Sequence, residues 1–102
     1  MFDLILTRNA QDDAIEISEW YETQTQGTGE RFLRALDRKF DSIRATPTIH
    51  RIVSGSTIRR SKLENWPYQV FFSLGDQVAI VIAIIHTSRD PLYISKRTET
   101  ES

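Results

Sequence analysis

Residues 65–91 constrain the fold more than any other stretch: Asn-Trp-Pro-Tyr-Gln-Val-Phe-Phe-Ser-Leu-Gly-Asp-Gln-Val-Ala-Ile-Val-Ile-Ala-Ile-Ile-His-Thr-Ser-Arg-Asp-Pro. They predict two strands, an aromatic one at Tyr68–Leu74 and an aliphatic one at Val78–His86. Gly75-Asp76 stands between them as a two-residue hairpin loop, with glycine supplying the positive φ of a I′ or II′ turn. The aliphatic strand lacks in/out alternation. A strand so apolar is covered on both faces and lies inside a sheet with helices against it. It is far too short to cross a bilayer, which takes about 20 residues. Where it ends, chemistry-bearing residues begin: His86, Ser88, Arg89 and Asp90.

The preceding chain supplies the helices. Residues 2–6 read as a first strand. Thr7 or Asn9 can cap the helix that follows, in which Ala10, Ala14, Ile17 and Tyr21 fall on one face. Gln26-Gly27-Thr28-Gly29 breaks that helix, and Thr28 can cap the next. Phe32, Leu36, Phe40 and Ile43 then repeat at helical spacing, and Pro47 forbids much extension past Ala45. A short glycine-rich joint makes the pair an antiparallel αα-hairpin, with its charged outer positions read as a solvated face. Residues 48–56 read as a loop and 57–63 as a charged strand that is short, near an edge or lining a site. The expected architecture is α+β, in the order β-α-α-β-β-β. The C-terminal strands form an antiparallel meander that the N-terminal strand joins, and the helical hairpin packs on one face.

Length and composition bound the class. A chain of 102 residues makes one domain, expected over 1–97, with a fraying polar tail at 98–102. Without cysteine there is no disulfide framework, and two histidines make a zinc site improbable; no metal and no cofactor is expected. The N-terminus lacks a basic, long apolar signal, so the expected location is cytoplasmic, with no membrane. Residues 1–50 carry nine acids and six bases, residues 51–102 five acids and seven bases. A mildly basic sheet half beside an acidic helical half suits an anionic partner on one face, though an ordinary mixed-charge surface reads the same way.

Ordered pieces spanning nearly the whole chain carry a family resemblance. They are Leu6-Thr7-Arg8-Asn9-Ala10, Trp20-Tyr21, Gly29-Glu30-Arg31-Phe32-Leu33, Pro47, Ile58-Arg59-Arg60, Trp66-Pro67-Tyr68-Gln69-Val70-Phe71-Phe72, and Ile84-Ile85-His86-Thr87-Ser88-Arg89-Asp90-Pro91. The chain resembles the RelE/ParE superfamily of bacterial type II toxins, on its ParE, or plasmid-stabilisation, side. The resemblance implies a cytoplasmic, growth-arresting toxin held in a hetero-oligomer by a tightly bound cognate antitoxin. It implies two possible targets. RelE-like members cleave messenger RNA in the ribosome. ParE-like members inhibit DNA gyrase and are not known as hydrolases.

Metal-free RNA cleavage must polarise a 2′-hydroxyl, stabilise a dianionic phosphorane and protonate the leaving oxygen. If this chain is a nuclease, its candidates are His86, Arg89 and Tyr93, with Arg59, Arg60 or Lys62 clamping phosphate. As binding residues, Arg59, Arg60, Lys62, Trp66 and Arg89 stand out. Each has a plainer role. His86 suits a structural histidine at a strand end, Arg89-Asp90-Pro91 a turn, and Tyr68, Phe71 and Phe72 the core; His50 reads as incidental. One departure weighs on the choice of target. RelE-like nucleases usually carry an arginine early in the third strand, reaching the scissile phosphate, whereas this chain has Tyr68-Gln69-Val70-Phe71. A net charge of −1 is also low for a ribosomal RNA binder. The favoured reading is therefore a gyrase-type binding toxin; the alternatives are a ribosome-dependent endoribonuclease and an attenuated, non-toxic relative that only binds a partner.

Overall fold

The structure, a computed structural model, describes residues 1–53 and 57–89. Its elements are β1 (Asp3–Leu6), α1 (Arg8–Gln24), α2 (Thr28–Ala45), a 3₁₀ turn at Pro47–Ile49, β2 (Arg51–Ile52), β3 (Arg59–Lys62), β4 (Tyr68–Leu74) and β5 (Val78–His86). The sheet order is β1-β5-β4-β3-β2. β1 runs parallel to β5, and every other pair is antiparallel. The α+β architecture is the expected one, with one addition. The stretch 48–56, read as loop, contains the two-residue strand β2, too short to show a period.

The helical hairpin covers one face of the sheet. Phe32, Leu36, Phe40 and Ile43 of α2 meet Val70 and Phe72 of β4 and Ala79, Val81 and Ile84 of β5. Phe32, Ile43, Val70, Phe72 and Val81 are fully buried. Burying each such side chain contributes about 1.5–3 kcal/mol, so this face is the main source of stability. The opposite face carries a smaller apolar cluster of Ile58, Phe71, Ile82, Ala83 and Ile85. Among the described residues no helix covers that second face, so the helices lie against one side of β5 only.

A β-bulge explains the missing alternation in β5. Phe71 pairs with Ala83 but Phe72 with Val81, leaving Ile82 as an extra residue. Val81 and Ile84 therefore face the helices while Ile82 and Ala83 both face away. α1 stitches this irregularity in place. The Thr7 amide donates to Val81 O at 3.0 Å, and the Ile84 amide donates to the Asp13 carboxylate at 3.0 Å. Thr7 is also the N-cap of α1, accepting from the Ala10 amide at 3.2 Å.

Two local expectations are corrected. The two residues of the β4–β5 turn are Asp76 and Gln77 rather than Gly75 and Asp76: the Gly75 amide donates to Val78 O at 2.8 Å, and the positive φ belongs to Gln77 (63°). At the helical joint, Gly27, not Thr28, is the N-cap of α2, at φ 87°. It offers no side chain, and Glu22 substitutes from α1: its carboxylate accepts from the Gly27 and Gly29 amides at 2.8 and 3.0 Å. Those amides sit at a helix N-terminus, where a negative charge is favoured. The turn thus binds the hairpin together across seven residues of sequence.

Candidate functional site

On the sheet face turned away from the helices, a basic hollow of ≈ 410 Å³ is lined by Arg51, Arg60, Lys62, Gln69 and Thr87. Strand register builds it. Arg60 lies opposite Arg51 on one side and Phe71 on the other, and Lys62 lies opposite Gln69. Residues paired across strands share a face, so Arg60, Lys62 and Gln69 all project with Phe71, away from the helices. Like charges directly opposite each other destabilise a strand pair, so the Arg51–Arg60 pairing favours an anion between them. Lys62 is partly held from such a role, because its ammonium donates to Leu63 O at 3.1 Å and Trp66 O at 3.2 Å. Among the described residues, no carboxylate, histidine or tyrosine lines this hollow.

Arg59 projects the other way. Its guanidinium donates to His50 O at 2.9 Å and Thr48 O at 3.2 Å, closing the end of the 3₁₀ turn. It is a scaffold residue rather than a member of the basic hollow. His50 has its Nε2 buried without a hydrogen-bond partner among the described residues, and its ring edge-on to Phe72 at 5.7 Å. Burial, and then the nearby Lys39, push its pKa below the usual histidine value against a hydrogen bond to the Ser42 backbone. A residue read as incidental is thus a neutral packing histidine.

His86, the last residue of β5, and Arg89, just beyond it, gather on the helix side. With Asp13, Glu16 and Tyr68 they line a small hollow of ≈ 170 Å³. The His86 ring stands edge-on to Tyr68 at 5.2 Å. Its Nδ1 accepts from the Ser88 amide at 3.1 Å and lies 2.8 Å from the Ser88 hydroxyl. The amide is an obligate donor, so the neutral ring carries its proton on Nε2. Arg89 follows in a tight turn, its amide donating to His86 O at 3.0 Å. Burial raises the phenol pKa of Tyr68. The strand alternation thus separates the candidates: Arg60 and Lys62 on one face, His86 on the other. Asp90, Pro91 and Tyr93 lie outside the described residues.

Trp66 belongs to a third place, between the β3–β4 loop and α2. Its ring is edge-on to Tyr21 at 4.9 Å and to Phe32 at 5.3 Å. With Tyr21, Asn65 and Pro67 it walls a cleft of ≈ 610 Å³ whose other side is the row Arg31, Arg34 and Arg38. Burial, then Tyr68, raises the Tyr21 pKa. The arginine row escapes sequence reading because charge at outer helical positions has no period of its own; its spacing of three and four is legible, but a facing wall is not. Arg51, Gln69 and Thr87 escape it because their meeting depends on strand register. Among the described residues no three His, Asp or Glu side chains group as a metal site needs, and no helix is long and apolar enough to cross a membrane.

Known proteins supply the frame for these surfaces. A chain of the chromosomal ParDE toxin–antitoxin system from P. aeruginosa is similar in fold at 21% identity, covering 84% of this chain and 96% of its own, with a TM-score of 0.65. The isolated E. coli RelE toxin is similar at 15% identity, covering 98% of this chain and 99% of its own, with a TM-score of 0.61. At these identities the likeness is one of fold. No curated protein sequence matches. Residues 4–91 match the family described as the ParE toxin of the type II toxin–antitoxin system parDE. The match spans most of the chain and reaches every element described above, and the chain belongs to the ParE toxin family of type II toxin–antitoxin systems.

Proposed function

We propose that this chain is a toxin that arrests growth by occupying a surface of its target, DNA gyrase, and that a cognate antitoxin silences it in a cytoplasmic complex. The observation that carries this reading is the neutral amide of Gln69 within the basic hollow. Phosphoryl chemistry on RNA wants a cation there to meet the phosphorane, and an acid and a base within hydrogen-bond reach. The described lining offers neither acid nor base, and His86 is on the opposite face with its Nδ1 taken by Ser88.

A metal-independent, ribosome-dependent endoribonuclease is the second reading. The Arg51–Arg60 pairing, which has no ion pair among the described residues, favours it, since a phosphate would relieve that repulsion. Expression of the wild type, His86→Ala and Arg89→Ala chains in a bacterial host separates the two. Arrest by all three, with gyrase supercoiling blocked by the purified protein, is the expected result. Codon-phased cuts in messenger RNA that vanish in the variants would sink the binding reading. No arrest by the wild type would leave a non-toxic relative that only binds its partner.

A further inference from the structure

The arginine cleft is a surface the two readings above do not use. Arg31, Arg34 and Arg38 lie on one stripe of α2, about 4.5 and 6 Å apart along the axis at 1.5 Å per residue. Like charges three and four residues apart weaken a helix, so an anion set among them is favoured. Of the three, Arg34 alone has an ion pair among the described residues, to Glu30, with both side chains largely exposed at 64% and 68%. Such exposed pairs contribute little and are readily exchanged. Among the described residues no acidic side chain lines the cleft. The opposite wall is aromatic and fixed in advance. Trp66 is half-buried and stands edge-on to both Tyr21 and Phe32, and its carbonyl accepts from the Lys62 ammonium. Asn65, at φ 68°, and Pro67 continue that wall. The chain's net charge is −1, so the positive charge here is local.

We propose that this cleft binds a nucleoside polyphosphate, with the phosphates on Arg31, Arg34 and Arg38 and the base against Trp66. Its volume of ≈ 610 Å³ lies within the range of small-molecule sites, about 300–1,000 Å³. The charges select phosphate. A guanidinium meets phosphate oxygens two at a time, and three in a row suit several phosphates in series. The row is also short. Glu30 flanks it on α2, and Glu64 lines the next hollow along the helix with Arg38. A nucleic-acid strand running past would meet both carboxylates, whereas a mononucleotide fits between them. The facing wall selects an organic phosphate over an inorganic one. An indole gives a base a flat apolar surface, and the Asn65 amide both donates and accepts, as the edge of a base does. Trp66 is already held by Tyr21, Phe32 and Lys62, so binding costs it little side-chain freedom. The inference goes beyond the toxin reading and does not depend on which target the toxin has.

The test uses the full chain with Trp20→Phe, which leaves Trp66 as the one tryptophan. The probes are ATP, adenosine and inorganic tripolyphosphate, each titrated at physiological salt while Trp66 emission is followed. Expected is a saturable change with ATP, half-complete at a concentration at least about ten-fold below that needed for adenosine or tripolyphosphate, because only ATP engages both walls. Arg31→Glu/Arg38→Glu should weaken the ATP response at least about ten-fold, and Arg31→Ala/Arg38→Ala should weaken it less. Circular dichroism confirms that each variant is folded, and the alanine pair carries the test if the glutamate pair is not. No saturable response at millimolar ATP overturns the inference. So does tripolyphosphate binding as tightly as ATP, which would make the row a plain anion surface. A response that the folded double variants leave unchanged, or that Arg60→Glu abolishes instead, overturns it as well, since the nucleotide would then sit elsewhere.

Discussion

The two helices of the hairpin are nearly equal in length, 17 and 18 residues, and opposite in charge and use. α1 carries Asp12, Asp13, Glu16, Glu19 and Glu22 against Arg8; α2 carries Arg31, Arg34, Arg38, Lys39 and Arg44 against Glu30, Asp37 and Asp41. The acids of α1 reach into the fold. Asp13 takes the Ile84 amide at the bulge, and Glu22 takes two amides at the start of α2. Among the described residues, the side-chain ion pairs of α2's bases stay within their own helix: Arg34 to Glu30, and Arg44 to Asp41 at 2.8 Å. Backbone amides orphaned by a turn or a bulge need acceptors, and a carboxylate is the strongest one a side chain offers. One helix is therefore charged for structural reasons, and the other for reasons the fold leaves unexplained. Equal charge density on two surfaces is no evidence of equal function.

The contact between the helices is the place to break the comparison most severely. At Gly29 an added Cβ would collide with Ser18 O, which is backbone and cannot swing away, and would sit 3.2 Å from Glu22 Cβ. Gly29→Ala must part the helices, and overpacking of this kind costs about 3 kcal/mol. The expected result is a denaturation midpoint lowered accordingly, with loss of the Glu22 cap; a midpoint at the wild-type value would show that the helices are not held this closely. Asp13→Ala comes next. It leaves the Ile84 amide without its acceptor, a loss of about 2 kcal/mol, while Asp13→Asn keeps an acceptor oxygen and should recover most of it. Equal losses from the two substitutions would mean the carboxylate serves its other contacts rather than the bulge.

These structural acids mark where sequence reading stops. The hairpin of helices was legible from Phe32, Leu36, Phe40 and Ile43, because burial imposes a 3.6-residue period on apolar residues. Thr7 was legible as a cap, since capping is local. Asp13 was not, because its partner is 71 residues away at a bulge that no periodicity announces. The unbroken apolar run of β5 was read correctly as buried on both faces, yet the bulge at Ile82 was hidden in it: five consecutive buried residues, Val81 to Ile85, look alike whether or not the alternation resets. The candidate sites suffered most. Arg59 and Arg60 are neighbours in sequence, and the pleat sends one to the 3₁₀ turn and the other to the basic hollow. Arg51 faces Arg60 only because a two-residue strand forms where no strand was expected.

The basic helix leaves one mark on the fold, through His50. Burial and Lys39 hold this histidine below its ordinary pKa, so the unfolded chain binds a proton there more readily than the folded one. Its folded-state contribution is therefore fully present above about pH 6.5 and is lost as the pH falls below that value. Stability measured from pH 7.5 down to 5 should decline more steeply in the wild type than in His50→Gln. Lys39→Ala should flatten the decline slightly, since Lys39 is the smaller cause and acts after burial. Parallel pH profiles for the wild type and His50→Gln would remove His50 from the account.

The smallest expected effect on stability is the most informative about the comparison. Arg31→Ala and Arg38→Ala remove exposed guanidiniums without a described ion pair, and should move the denaturation midpoint by no more than about 0.5 kcal/mol each. Helix propensity favours neither residue strongly, and alanine is the better former, so a small gain is as consistent as a small loss. What the pair of substitutions tests is the division of labour between the helices. If α2's arginines supported the fold as α1's acids do, their removal would cost as much as Asp13→Ala. Neutrality in stability places their role outside the support of the fold. Arg34→Ala sharpens this further: it removes the exposed Arg34–Glu30 pair and should leave stability within the same narrow range.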